Sequence, residues 1–560
     1  MITFGETIFL KIMLLHKKHL IWSIFFGLVL TSCGTSKQEI EDPVSPDPIC
    51  NINKKATTSS YINYFKIANG AILNHASGNQ GYQDNNDTEV SLVNGESYTF
   101  NFGIGDPVAG IHKRIAIWID KNQDGDFLDA GELILSWSGE NTTSDLQFSN
   151  KSIGVSSKIG ATKMRIAMRS SNSTIGSLSS CDFFSDGEIE DYAINLEAVP
   201  DPLQSLTPEV THDLFVGSGT TFATDGVPHT FRIPSLVTTT NGTLLAIGDG
   251  RLDSHADVPN KINFYIKRST DNGTTWGDNI IISNIEYGGD ACTVVDKTNG
   301  RIFIFYAYSK HKNIFQSDGN PNSENCLKSQ YIYSDDDGLT WSNPVDLTAD
   351  LYKSGDTSYW ASGGTGIQLR NGHLVIPIAV VRNGAIYGSL LYSTDHGSTW
   401  NRSLTNSFDK FDENTIIELN DGRIMINARN HHGTSTRLIT YTSDLGSTWS
   451  PYSFDNTLID PVCQGNIMRY TSTLDGASKD RILFSNPGNK GSRVDGTLRI
   501  SYDEGQTWAY SKLYQEGDSN YSCITILPDG KIGILYEVNH SLLRFKRFSL
   551  EDLTDGTDSY

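Results

Sequence analysis

The chain has 560 residues, 38 % of them hydrophobic and 19 % charged, a balance that fits folded units rather than a disordered chain. At roughly 100 to 200 residues per domain, two or three such units are expected. Lys and Arg number 44 against 65 Asp and Glu, a formal net charge of −21 that excludes the basic surface a general nucleic-acid binder needs.

Lys17 and Lys18 precede an apolar run from Leu20 to Leu30. Its 11 residues fall short of the roughly 20 that span a bilayer as a helix. The pattern predicts the h-region of a secretory signal, with Met13 a better initiator than Met1. The run ends in Leu30-Thr-Ser-Cys33, which resembles the lipobox of bacterial lipoproteins. That resemblance implies a signal over residues 1–33, a lipid on Cys33 as the only membrane attachment, and a place in the bacterial cell envelope, at the outer membrane and facing outward. Residues 34–49, rich in Pro, Asp and Glu without an apolar period, predict a flexible tether. Export favours disulfides. No CxxC or CxxC…HxxxH spacing supports structural zinc, and Cys50 and Cys181 bracket the first domain and could staple its ends.

Residues 50–197 alternate apolar and polar side chains in short runs, as in Ser97-Tyr-Thr-Phe-Asn-Phe102 and Arg114-Ile-Ala-Ile-Trp-Ile119. With turn residues between the runs, a β-sandwich is predicted. In Asp120-Lys-Asn-Gln-Asp-Gly-Asp126, the oxygens of Asp120, Asn122, Asp124 and Asp126 alternate around a Gly turn, a way of collecting hard ligands for structural Ca²⁺. The EF-hand position for a bidentate Glu holds Gly131, and Glu132 falls one later, so a metal loop and a plain Asp/Asn/Gly hairpin both stay open. Trp118 to Phe127, Gly131-Glu132 and Gly187-Glu-Ile-Glu-Asp-Tyr192 together resemble the GEVED domain of secreted bacterial proteins. The resemblance implies an accessory module with a binding or spacing role. Residues 198–212, with three prolines up to Thr211, are expected to be a linker.

Downstream, Ser269-Thr-Asp271-Asn-Gly273-Thr-Thr275-Trp276 recurs around Asp336, Asp395, Asp444 and Asp503, taking five of the nine tryptophans. Each copy has the residues of a hairpin turn: Asp and Ser or Thr to bond turn amides, Gly for a positive φ, Trp to seal the turn. The Asp residues are 65, 59, 49 and 59 apart, so residues 213–552 hold about six such units. Several short strands per repeat at this period predict a six-bladed β-propeller. The overall expectation is an all-β chain, sandwich then propeller.

The repeat resembles the Asp box of the sialidases and related propellers, and Phe231-Arg-Ile-Pro234 resembles the sialidase FRIP motif. The resemblance implies that Arg232, Arg429 in Ile426-Asn-Ala-Arg-Asn430 and Arg493 in Gly491-Ser-Arg493 form a triad binding a substrate carboxylate. It also implies Arg251 as a further binding arginine, Asp257 in Ala256-Asp-Val-Pro-Asn260 as acid/base, and Tyr521 in Asn520-Tyr-Ser522 as nucleophile. Glu413 would be the base serving Tyr521, Glu537 the carboxylate steadying Arg232, and Asp290 the group facing an N-acetyl substituent. Guanidinium forks suit a carboxylate better than lysines do, and a neutral Tyr avoids driving an anionic nucleophile at an anomeric carbon that bears a carboxylate. The implied activity is a retaining exo-α-sialidase acting on sialylated glycoproteins, gangliosides and oligosaccharides, as a monomer and without a catalytic cofactor. A sialoglycan-binding adhesin, or a transferase using the same site, is the alternative. Trp360, near Gly363-Gly-Thr-Gly366, could line the rim or the core.

Overall fold

The computed structural model describes residues 61–560 apart from 69–72, 77–80, 106–110, 141–144, 157, 182–185, 199–202 and 220–226. Cys33, Cys50, the signal and the tether therefore lie outside the described residues. Among the described residues, helix is confined to single turns such as Thr348–Leu351 and Leu550–Leu553, and strands carry the architecture.

Two sheets form the N-terminal unit. One runs in the order Leu73–Ala76, Tyr61–Ala68, Ser97–Gly105, Asp145–Ser152; the other in the order Tyr82–Val93, Gly187–Glu197, Gly160–Ser171, His112–Ile119, Leu133–Glu140. Alternation along each strand decides the packing. Phe65, Phe100 and Phe102 of the first sheet meet Ile115, Ile117, Ile166 and Tyr192 of the second in one buried core. The intervening Ala116 and Trp118 cover the second sheet's outer face with Phe127 and Ile189. The acidic signature is spent on structure. Asp191 takes Nε and Nη2 of buried Arg165, both at 2.7 Å, while Glu188 accepts the Ile62 amide at 2.7 Å and so ties the two sheets together. Cys181 is disulfide-bonded and Cys292, Cys326, Cys463 and Cys523 are free, which places the partner of Cys181 outside the described residues.

Six sheets follow in chain order as blades: 230–282, 288–346, 356–402, 411–459, 466–518, and 522–548 with Val210–Val216. The first strand of each blade lines the axis, and neighbouring inner strands pack on one another, including Thr230–Thr238 on Ser522–Ile526 where the ring closes. Val210–Val216 pairs antiparallel with Leu542–Phe548, so the early strand completes the last blade. That closure accounts for five boxes on six blades. Each box is the turn between the third and fourth strands, and blade 6 draws its fourth strand from earlier in the chain.

The boxes are built alike. In the first, Ser269 Oγ and the Thr275 amide donate to Asp271 Oδ1 at 2.8 and 2.9 Å, and Thr275 Oγ1 donates to Oδ2 at 2.7 Å. The Gly273 amide donates to Ser269 Oγ at 2.9 Å, with Gly273 at φ 76°. These donors, Thr275 first, hold the Asp271 pKa below its ordinary value, as expected of a structural acceptor. Closing tryptophans staple a blade to the one before it: Trp276 packs edge-on to Phe545 of blade 6 at 5.1 Å, and Trp400 to Phe305 of blade 2 at 4.7 Å.

The propeller reaches further in both directions than 213–552. Within the stretch expected as linker, Leu206 packs in the propeller core and its amide donates to Leu513 O at 2.8 Å. At the other end, Asp558 takes Nε and Nη2 of Arg481, both at 2.7 Å.

Candidate active site

In antiparallel blades the starts of the first strands and the ends of the second strands share one end of the ring. Arg232, Asp290 and Glu413 stand near the starts of the inner strands of blades 1, 2 and 4, and Tyr521 directly precedes that of blade 6. Arg251, Arg429 and Glu537 stand at or near the ends of the second strands of blades 1, 4 and 6, and Asp257 and Arg493 in the loops that follow those strands in blades 1 and 5. Local backbone irregularity aims several of them. The ladder register shifts between Arg232 and Ser235, between Gly289 and Cys292, and between Phe411 and Asn414, each beside a candidate residue. Ile233 at φ 53° and Asp290 at φ 66° hold left-handed backbone there, a costly state for a β-branched residue.

Tyr521 is at the centre. Its side chain is buried against Ile233 and Cys463, and its hydroxyl lies 2.6 Å from both oxygens of Glu413. Arg429 Nη1 donates to the same hydroxyl at 3.0 Å and to Glu413 Oε2 at 2.8 Å. The guanidinium carbons of Arg232 and Arg493 lie 5.5 and 5.6 Å from the centre of the Tyr521 ring. Glu537 Oε2 accepts Nη2 and Nε of Arg232 at 3.2 and 3.3 Å, and its Oε1 accepts the Ile233 amide at 2.8 Å. Arg493 Nη2 donates to Val462 O at 2.8 Å.

The electrostatics follow from this packing. Burial, then the Glu413 charge, drives the Tyr521 pKa well above its ordinary value, so the phenol is neutral at rest. Burial, then the neighbouring Asp412, raises Glu413 against the pull of Arg429. Burial opposes the charges on Arg232 and Arg429, yet the anions around them win and both pKa values rise.

At the rim, Asp257 accepts Nη2 of buried Arg251 at 2.6 Å, with its own side chain 60 % exposed. Its partial desolvation works upward, but Arg251 and then Arg232 bring its pKa below the ordinary value. Asp290 is pushed well above its ordinary value by burial and by the charges of Asp257 and Asp249. Its amide donates at 3.1 Å to Asp249, whose own pKa is pushed up to about 7 by burial against the pull of Arg251.

All nine propeller residues singled out in the sequence are thus brought together. Asp249, Asp412 and His431 also belong to the cluster. Asp249 shares the inward face with Arg251 two residues on, a period-two signal open to sequence reading. Asp412 contacts Arg429 Nε at 3.5 Å and His431 Nε2 at 2.7 Å. Strand alternation would send it away from Glu413; the bulge puts both in the site. Trp360 is core, packed with Val258, Leu327 and Val381. Asp120, Asn122, Asp124 and Asp126 lie on a loop of the N-terminal sandwich. A cavity of about 580 Å³ lies at the opposite mouth of the axis, but its Arg370 and Arg469 already face Glu418 and Glu504.

The site is thus a set of arginines converging on a buried tyrosine–glutamate pair at one mouth of a six-bladed propeller. The profile of the BNR repeat-like domain matches residues 235–534, and that of the GEVED domain matches 114–195. The sialidase of Micromonospora viridifaciens is 36 % identical over 342 residues, covering 58 % of this chain and 52 % of its own length. The sialidase of Paraclostridium sordellii is 34 % identical over 355 residues, covering 58 % and 84 %. The solved structure titled Hadza microbial sialidase Hz136 superposes with a TM-score of 0.56 at 22 % identity, over 91 % of this chain and 99 % of that one, a likeness of fold. The chain belongs to the sialidase family, with a GEVED domain ahead of its propeller. It spans about half the length of the Micromonospora relative.

Proposed function

We propose that the protein is a retaining exo-α-sialidase that releases terminal sialic acid from sialylated glycans. The observation that carries this reading is the Tyr521 hydroxyl held 2.6 Å from Glu413 while three guanidinium groups surround it. A sialoside bears a carboxylate on its anomeric carbon, and Arg232, Arg429 and Arg493 are the cations to receive it. One such contact at about 4 Å and an effective dielectric of about 20 is worth roughly 4 kcal/mol before desolvation. The bulk charge of the protein acts through water and is screened beyond about 8 Å, so these local cations decide the sign.

Bound carboxylate brings the anomeric carbon to Tyr521. The phenol attacks as Glu413 takes its proton, and the raised basicity of a buried Glu413 favours that transfer. The bond to the glycosidic oxygen breaks, and Asp257 gives that oxygen a proton. Asp257 is ionised in the free protein, held so by Arg251 and Arg232. A substrate carboxylate that neutralises Arg232 removes part of that hold, so substrate binding raises the Asp257 pKa toward the value an acid needs. Asp257 then draws a proton from water, which opens the glycosyl-tyrosine; two inversions give net retention.

The lipobox at Leu30–Cys33 supports the further proposal of a lipid-anchored envelope enzyme, tested by acyl labelling of the wild type and Cys33→Ala. The activity is tested by proton NMR of a 4-methylumbelliferyl α-sialoside during turnover. The α-anomer of free sialic acid should form first, and absence of turnover with binding retained would leave an adhesin.

A further inference from the structure

The loop that leaves strand His112–Ile119 in the N-terminal sandwich is not used by the chemistry above. Asp120, its first residue, is 4 % exposed. Its Oδ2 accepts the amide of Gly125, five residues on, at 3.2 Å, which folds the carboxylate over the loop. Gly125 allows this by turning at φ 97°. Asp120 Oδ1 is also buried and has no hydrogen-bond partner among the described residues. A buried anionic oxygen left without a donor is unfavourable unless a cation answers it.

Farther round the same loop, carboxylate oxygens of Asp124, Asp126 and Asp129 lie within 4.8 Å of one another. The Asn122 amide nitrogen stands between two of them, 2.8 Å from Asp124 Oδ2 and 2.6 Å from Asp129 Oδ2. Glu132 is committed elsewhere, its oxygens accepting the amides of Lys121 and Asp129 at 3.0 and 3.1 Å. It braces the loop as a buried acceptor, which leaves Asp129 as the late carboxylate of the cluster.

We propose that this loop binds one Ca²⁺ through Asp120 Oδ1 and the carboxylates of Asp124, Asp126 and Asp129. Every donor is oxygen, with no His or Cys in the group, which selects a hard cation over zinc or copper. Half-exposed carboxylates on a loop suit the irregular six- to eight-fold shell of Ca²⁺ better than the small, strict octahedron of Mg²⁺. The ion would pin the loop to the end of the strand from which it springs.

The test is calorimetric titration of the chelator-stripped full-length protein with CaCl₂ and with MgCl₂, together with thermal melting. The expected result is one Ca²⁺ bound with Kd of about 1 mM or tighter, Mg²⁺ weaker by about tenfold or more, and a melting transition raised by Ca²⁺. The Asp124→Asn/Asp129→Asn double variant should melt like wild type in chelator and lose Ca²⁺ affinity by about tenfold or more. Asp120→Asn should lose it as well. No binding by wild type at about 10 mM CaCl₂, equal affinity for Mg²⁺, or unchanged affinity in the double variant would each overturn the proposal. None of these readouts depends on turnover by the propeller.

Discussion

Glu537 holds Arg232 twice over, through the guanidinium at 3.2 Å and through the following amide, that of Ile233, at 2.8 Å. One fully buried carboxylate therefore fixes both the charge that would meet a substrate and the left-handed turn that aims it. Replacing Glu537 by Gln should keep one amide contact and leave the Arg232 charge unanswered. The expected outcome is a rise in KM of about tenfold or more, a smaller fall in kcat, and a loss of about 3–5 kcal/mol in stability. Steady-state kinetics and denaturant melts check it.

Asp412 raises the Glu413 pKa through its charge and touches Arg429 at 3.5 Å. Asp412→Asn should therefore lower the Glu413 pKa. A base works when ionised, so activity is lost as pH falls through that pKa. The acid limb of kcat, which Glu413 sets once bound substrate has raised Asp257, should move to lower pH, and the plateau should drop by about tenfold because the base is weaker and Arg429 less well held. An unmoved acid limb would show that Asp412 acts on structure alone.

Asp257 presents the opposite sign. An acid works when protonated, and with Asp257 depressed and Glu413 raised in the free protein, kcat/KM should rise with pH only up to the Asp257 pKa and then level off, few molecules having Asp257 protonated and Glu413 ionised at once. In the complex, with Arg232 engaged by substrate, the alkaline limb of kcat should lie at higher pH. Arg251→Gln removes the strongest depressing charge and should shift the kcat/KM limb upward. Parallel pH profiles of kcat and kcat/KM for wild type and variant provide the check.

In the sandwich, Asp191→Ala leaves Arg165 buried without its fork partner. The N-terminal unit should lose about 3–5 kcal/mol, seen as an earlier melting step, while turnover by the propeller is unchanged.

What the sequence could and could not disclose follows from the range of each interaction. An Asp box satisfies its bonds within eight residues, so Asp271, Gly273 and Trp276 announce the turn on their own, and their spacing counts the blades. The sandwich strands are legible for the same reason, since Ile115, Ile117 and Ile119 face one side by alternation. Arg232, Glu413 and Tyr521 are separated by more than a hundred residues, and only the family resemblance of their motifs joined them in advance. Bulges are properties of a paired ladder, so neither the turn at Ile233 nor the presence of Asp412 in the site could be read from one strand. The ends of the propeller were hidden similarly, because Leu206 finds Leu513 and Asp558 finds Arg481 only after closure.

Tyr521→Phe keeps the ring between Arg232 and Arg493 but removes the hydroxyl, and should cut kcat by roughly 10³-fold or more with sialoside binding retained. The most direct measurement goes one step further. Wild type treated with 2,3-difluorosialic acid, which loses its C2 fluorine as fluoride when Tyr521 attacks and keeps a C3 fluorine that slows release of the enzyme-bound sugar, is digested and its peptides weighed. The account predicts one added glycosyl mass on the peptide containing Tyr521, absent in Tyr521→Phe. A label on Glu413 or Asp257, or turnover of the reagent with no label on Tyr521, would contradict it.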